Sequence, residues 1–195
     1  MPVNVDERIA RLAELVAVAT VGGGVAARET SLFAPDLLTG LPACLAFHER
    51  LSREVVRARV AGRPVSVVLL DLDRFAAVNA ALGREAGDRL LAEVARRLAE
   101  ITGDGDLLAR TAGDEFGWIL PGATGAEALR AAERVRAVLG GQPRGPAGRA
   151  NVSAGVCDHR DGRGSSDMIR LAGRALYRAK ARGRDAAALY DPEAV

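Results

Sequence analysis

Val65 to Leu70 is an apolar run rich in Val, bounded on one side by Gly62 and Pro64 and on the other by Asp71-Leu72-Asp73. Such a run reads as a strand buried on both faces, and a strand of that kind needs helices packed above and below it. The flanking sequence supplies them. Pro42 to Val60 is predicted helical, with Pro at an early helical position and Leu45, Leu51, Val55 and Val56 on an apolar side. A helix from Arg74 to about Leu82 follows, then one from Asp88 to Ile101 with Leu90, Leu91, Val94 and Leu98 in register. Asp106 to Thr111 and Phe116 to Leu120 are expected as short strands around Ala112-Gly113-Asp114-Glu115, a hairpin by its turn residues. Thr124 to Leu139 reads as a helix with Thr124 as cap and Glu127 in capping-box position. After a Gly/Pro loop at 140–149 come a strand from Asn151 to Cys157, a Ser-capped helix from Ser166 to Arg182 and a last strand from Ala186 to Tyr190.

This order predicts an α+β fold of the ferredoxin-like, split βαβ kind: a palm-type sheet with helices on both faces and an antiparallel central hairpin. The 195 residues suffice for one well-cored domain and a short appendage. We place the boundary near Pro35, with residues 1–35 as an N-terminal helix and linker and 36–195 as the domain. Ile9, Leu12, Ala13, Leu15 and Val16 recur at helical spacing over residues 6–20, and Gly22-Gly23-Gly24 ends that helix. A helix there could act as a sensor or regulatory segment, or pair with a second copy.

Charge and composition narrow the partners. Twenty-seven basic against 25 acidic side chains leave a formal charge of +2, which favours neither nucleic acid nor an anionic membrane surface. Aromatic residues make up 4%, too few for a base-stacking platform. Leu12 to Val25 is apolar, but Glu14 interrupts it, and Asp6 and Glu7 stand where a signal peptide wants basic charge. No apolar run is long enough to span a bilayer, so a cytoplasmic location is expected. Cys44 and Cys157, read as small apolar residues, and His48 and His159 have no metal-ligand spacing.

Two features point to chemistry. Asp71 ends the apolar strand and Asp114-Glu115 form the hairpin tip, so adjacent strands in this sheet type bring Asp71 and Asp114 together. Two such carboxylates offer hard oxygen donors suited to Mg²⁺ holding substrate phosphates. An EF-hand starting at Asp71 fails, because its sixth and twelfth positions hold Ala76 and Leu82. Arg is abundant throughout, yet Lys180 is the single lysine, which suggests a position that a guanidinium fork cannot fill.

Asp36-Leu37-Leu38-Thr39-Gly40-Leu41-Pro42 opens the domain. Asp71-Leu72-Asp73-Arg74-Phe75 is followed by Asn79 and Gly87-Asp88. Arg110 to Phe116 forms the hairpin, and Ala175 to Lys180 closes with Gly183-Arg184. This series resembles the GGDEF family of diguanylate cyclases from about Asp36 to Tyr190. The resemblance implies condensation of two GTP into cyclic di-GMP with release of two pyrophosphates, each subunit of a homodimer presenting one GTP. It implies Mg²⁺, with Mn²⁺ as an alternative, ligated by the Asp71 carboxylate, the Leu72 carbonyl and Asp114. By the same resemblance Asn79 and Asp88 read the guanine edge and Lys180 and Arg184, one helical turn apart, reach the β- and γ-phosphates. Asp114 or Glu115 assists the attacking 3′-hydroxyl.

The chain also departs from the family pattern. Ala112 replaces the first Gly of the signature, which costs on the order of 1 kcal/mol if that position needs positive φ. Ala76, Ala80, Arg84 and Gly173 stand where Lys, Asp, His and Asp are usual. The family's product-inhibition motif RxxD aligns with Gly103 to Asp106; its Arg is missing, so inhibition through that site should be absent or weak. The expected function is a diguanylate cyclase of low activity. The alternative is a degenerate domain that binds GTP or cyclic di-GMP and signals through partner contacts.

Overall fold

The computed structural model describes residues 34–141, 150–159 and 163–192. The helix expected over residues 6–20 and most of the loop at 140–149 lie outside the described residues. The elements are α1 (Cys44–Ala61), β1 (Val65–Leu72), α2 (Phe75–Leu82), α3 (Arg84–Ile101), β2 (Leu107–Ala112), β3 (Glu115–Pro121), α4 (Gly125–Gly140), β4 (Val152–Asp158), α5 (Ser165–Ala181) and β5 (Ala187–Leu189). The sheet order is β2-β3-β1-β4-β5. β1 runs antiparallel to both β3 and β4, the β2–β3 hairpin is antiparallel, and β5 adds parallel to β4. This is the α+β palm-like sheet that the element order implies.

The alternation of side chains along β1 assigns each helix to a face. Val68, Leu70 and Leu72 join Phe116, Trp118, Leu120 and the apolar sides of α3 and α4 in one core. Val65, Val67 and Leu69 join Ile119, Cys157 and the apolar sides of α1 and α5 in the other. Asp71 continues the odd-numbered series, so it emerges on the face that α5 covers. α5 can approach closely because β4 carries Gly155 there. A methyl at that position would run into the Ala172 carbonyl and the Leu176 backbone nitrogen. Close packing at Gly155 therefore sets the path on which the far end of α5 reaches the end of β1.

Several boundaries differ from expectation. α1 turns Val56 outward, 60% exposed, and buries Glu54 instead, because two arginines neutralise that glutamate. α3 begins at Arg84 rather than Asp88, which puts Asp88 inside the helix, one turn from its start. The Ser cap expected for α5 is absent: Gly164 is the cap residue, and the Ser165 hydroxyl pairs with that of Ser52. α5 also stops at Ala181, so Arg184 is not on the helix with Lys180. The capping box of α4 forms as read, Thr124 and Glu127 satisfying each other's backbone nitrogens.

Candidate functional site

The site is built where β1 ends. Asp71 lies directly across from Glu115 on β3 and from Ser153 on β4. Like charges directly opposed across strands are unfavourable, so this pairing does not arise from sheet stability. Burial raises the Asp71 carboxyl to about 6, the Asp114 and Glu115 charges push the same way, and Lys180 opposes them. Lys180 Nζ stands 2.7 Å from Asp71 Oδ2. The single lysine is therefore neither a solvated helix-end charge nor a distant one.

The hairpin tip is held from several sides. Leu72 donates its backbone N–H to the Asp114 carbonyl at 3.2 Å, which fastens the tip to the end of β1. Thr111 Oγ1 donates to Glu115 Oε1 at 2.7 Å and orients that carboxylate. Arg110 uses Nε and Nη2 on the Gly113 carbonyl, at 2.9 and 2.7 Å, while its Nη1 meets both oxygens of Asp36 at 3.0 and 3.1 Å. Burial works to raise the Asp36 carboxyl, but bonds from Thr39 and Arg110 outweigh it and hold the group below its usual range. The register shifts between Arg110 and Ala112, a bulge that tightens the turn. Gly113 has φ +40, whereas Ala112 is not among the described non-glycine residues of positive φ, which are Arg74, Arg184 and Asp185. The conditional strain at Ala112 therefore does not arise.

Beyond α5 the chain turns through Gly183, Arg184 and Asp185, at φ +119, +67 and +45. Left-handed backbone costs a non-glycine residue about 1–2 kcal/mol, so tertiary contacts must impose this turn. Asp73 supplies one: its Oδ2 accepts the Asp185 N–H at 2.8 Å, and its Oδ1 accepts the Ser153 hydroxyl at 2.8 Å. Arg136 supplies another, pairing with Asp185 at 3.3 Å. The turn and α2 flank an open cavity of about 630 Å³ lined by Arg74, Val78, Asn151 and Arg184 among others.

Asn79 on α2 packs against Gly87 on α3, where a methyl would overlap its Oδ1. Asn79 therefore lies against the residue that precedes the exposed Asp88. Asn79 Oδ1 is the one buried side-chain polar atom without a hydrogen-bond partner among the described residues. An orphaned buried amide oxygen is costly unless a ligand satisfies it.

The description "Diguanylate cyclase, GGDEF domain" matches residues 34–186. The chain belongs to the GGDEF family. Diguanylate cyclase DgcP of Pseudomonas aeruginosa is 38% identical over 154 residues, which cover 77% of this chain and 23% of the relative. Cyclic di-GMP phosphodiesterase NbdA of the same organism is 35% identical over 159 residues, 80% of this chain and 20% of the relative. The chain thus spans less than a quarter of the length of either relative. Among solved structures, the GGDEF domain of DgcB from Caulobacter crescentus in complex with c-di-GMP superposes with a TM-score of 0.77 at 25% identity, covering 80% of this chain and 95% of that one.

In this GGDEF domain the structure gathers Asp71, Leu72, Asp114, Glu115 and Lys180 around the β1 end, Asn79 and Asp88 at the α2–α3 junction, and Arg184 on the strained turn. No group of three or more Asp, Glu, His or Cys side chains forms a metal cluster among the described residues. Two carboxylates and a carbonyl still suit a hard divalent cation whose other positions are filled by phosphate oxygens and water. Asp106, the surviving member of the inhibition motif, accepts from Trp118 Nε1 at 2.9 Å and from Gly103 N at 3.1 Å. No described helix is long and apolar enough to cross a membrane.

Asp36, Asp73 and Arg110 lie within the sequence motifs, yet residue type and spacing give them no task. Arg110 is one of many arginines in the chain and carries no signal that it will clamp a turn, and the EF-hand reading that would include Asp73 fails. Only the spatial neighbours Gly113, Asp185 and Ser153 reveal what these side chains hold.

Proposed function

We propose that this GGDEF domain is a diguanylate cyclase that condenses two GTP into cyclic di-GMP, two copies of the chain each presenting one nucleotide. The observation that carries the reading is the half-buried group of Asp71, Asp114 and Glu115 at adjoining strand ends, with Lys180 as its counter-charge. Asn79 and Asp88 read the guanine: the carboxylate accepts from its N1–H and N2–H donors, and the orphaned Asn79 amide meets the remaining polar edge. Lys180 and Arg184 hold the β- and γ-phosphates, Lys180 exchanging Asp71 for phosphate oxygen as the nucleotide arrives.

Mg²⁺, or Mn²⁺ in its place, would be held by Asp71, the Leu72 carbonyl and Asp114, and would supply charge neutralisation at the phosphates. Asp114 or Glu115 takes the proton of the 3′-hydroxyl. The new bond joins that 3′-oxygen to the α-phosphorus of the facing nucleotide, and the bond to the β-phosphate oxygen breaks, releasing pyrophosphate. Orientation across the two copies is the main catalytic contribution. With no Arg in the inhibition motif and Asp106 engaged by Trp118, product does not inhibit through that site. The N-terminal residues would carry the regulatory input.

A second reading keeps GTP or cyclic di-GMP binding without turnover. Ala76, Arg84 and Gly173 favour it, as each lacks the usual side chain, and Gly173 faces open space. Incubating the purified chain with GTP and Mg²⁺ and chromatographing the products separates the two. Cyclic di-GMP is expected; tight GTP binding with no product would establish the degenerate domain.

A further inference from the structure

The turn that carries Arg184 holds two consecutive non-glycine residues in left-handed conformation, Arg184 at φ +67 and Asp185 at φ +45. Gly183 and, less readily, Asp185 accept left-handed backbone, but Arg184 does not favour it. Within the turn, Gly183 N reaches the Lys180 carbonyl at 3.4 Å and Arg184 N the Ala179 carbonyl at 3.2 Å, both long bonds. The short bond to its backbone comes from outside: Asp185 N to Asp73 Oδ2 at 2.8 Å. Asp73 is itself fixed twice, its other oxygen accepting from the fully buried Ser153 hydroxyl and its own N–H donating to the Asn151 carbonyl at 2.9 Å. Both carboxylate oxygens are thus committed to protein donors, unlike those of a waiting metal ligand. Arg184 is exposed and borders the cavity between this turn and α2.

We propose that Asp73 is a positioning residue: buttressed by Ser153, its carboxylate holds the strained Gly183–Asp185 turn and so aims Arg184 at the nucleotide phosphates. The aiming half rests on the phosphate role given to Arg184 above; the holding half stands on the turn alone. The DxD spacing at the end of β1 then contains two carboxylates with different tasks, Asp71 toward the substrate and Asp73 toward the loop that grips it.

Two measurements test this on the full chain. Hydrogen exchange of the peptide spanning residues 179–187 reads the turn without any nucleotide. Asp73→Ala should speed its exchange about tenfold while leaving the 112–116 hairpin unchanged. Asp73→Ala combined with Asp185→Gly should restore part of the protection, since glycine adopts the left-handed conformation without a partner. Unchanged exchange, or equal acceleration across both segments, would overturn the holding role. Calorimetric titration then reads the aim: Asp73→Ala should weaken GTP about tenfold and guanosine hardly at all, with Ser153→Ala intermediate. An equal loss for both ligands would overturn the aiming role. So would a fall in Mn²⁺ affinity without nucleotide, which would make Asp73 a metal ligand. A wild-type chain that binds GTP no better than guanosine would remove the phosphate role of Arg184, and the aiming role with it, while the exchange result still decides whether Asp73 holds the turn.

Discussion

The two ends of the central strand are built to different standards. At the start of β1 every polar group named here is matched. Gly122 donates to the Pro64 carbonyl, the buried Ser66 hydroxyl to the Ala123 carbonyl, and Thr124 and Glu127 close a capping box. Glu54, 6% exposed, receives Arg50 at 2.7 Å and Arg57 at 2.8 Å. At the other end Asp71 faces Glu115 across the sheet, Asn79 Oδ1 is buried without a partner, and Arg74, Arg184 and Asp185 have positive φ. The same sheet thus ends once in satisfied local interactions and once in strain and opposed charge. Local rules are followed at the start of the strand and broken at its end, the pattern expected where a fold gives up stability for a site.

The largest expected effect lies at the strained end. Asp71→Asn or Asp114→Asn should lower cyclic di-GMP formation by about three orders of magnitude, because each removes an anionic ligand of the divalent cation proposed there. The doubly substituted chain retaining turnover would mean that the acidic group is not the reacting centre.

Lys180→Ala should weaken GTP roughly ten- to a hundredfold and guanosine hardly at all, by calorimetric titration. Its effect on the nucleotide-free protein depends on pH. The Asp71 carboxyl is raised from 3.8 to about 6 in the folded chain, burial being the largest cause. The folded state therefore holds that proton more tightly than the unfolded one. The stability this contributes is complete below the unfolded pKa and is lost as pH rises through the folded one. Chemical denaturation should accordingly show Asp71→Asn gaining on the wild type between pH 4 and pH 7. Lys180→Ala should cost stability at pH 8 but little at pH 5, where Asp71 is protonated. Parallel pH profiles for all three proteins would show that Asp71 titrates as an ordinary exposed carboxyl.

Asp88→Ala sharpens the base-reading part of the site. It should cost GTP affinity about tenfold and leave ATP affinity unaltered, because adenine lacks the two donors that the carboxylate accepts. Equal losses would take Asp88 off the base.

At the satisfied end the signs reverse: stability falls and nucleotide chemistry does not. Glu54→Ala should destabilise by about 1–3 kcal/mol in urea denaturation, since it leaves two arginines without their acceptor. Thr124→Ala should cost about 1 kcal/mol through loss of the cap. GTP affinity unchanged in both keeps the contrast between the ends; a loss comparable to that of Lys180→Ala would erase it.

Much of this was legible in the residues alone. The apolar run of β1, the helical periods on either side and the turn residues at 112–115 suffice for the α+β sheet, because burial of alternating side chains admits few other arrangements. Family membership was legible too, since the four motifs keep their order and distances. The capping box of α4 was readable because it is a local exchange between residues three apart. Beyond the approach of Asp71 to Asp114, what sequence could not supply is which side chains pair once distant segments meet. Val56 seemed apolar-facing, until the pairing of Glu54 with Arg50 and Arg57 let the glutamate be buried and Val56 turn outward. Lys180 and Arg184 seemed to share a helix, until α5 stopped at Ala181 and the turn after it was held by Asp73, more than a hundred residues earlier. Ala112 seemed strained until the bulge left positive φ to Gly113. Residue types and their spacing decide which hydrogen bonds are possible. Only the tertiary structure decides that Lys180 reaches Asp71, that Asp185 and Ser153 reach Asp73, and that Arg110 joins the local Thr39 on Asp36, because those donors come from segments distant in the chain.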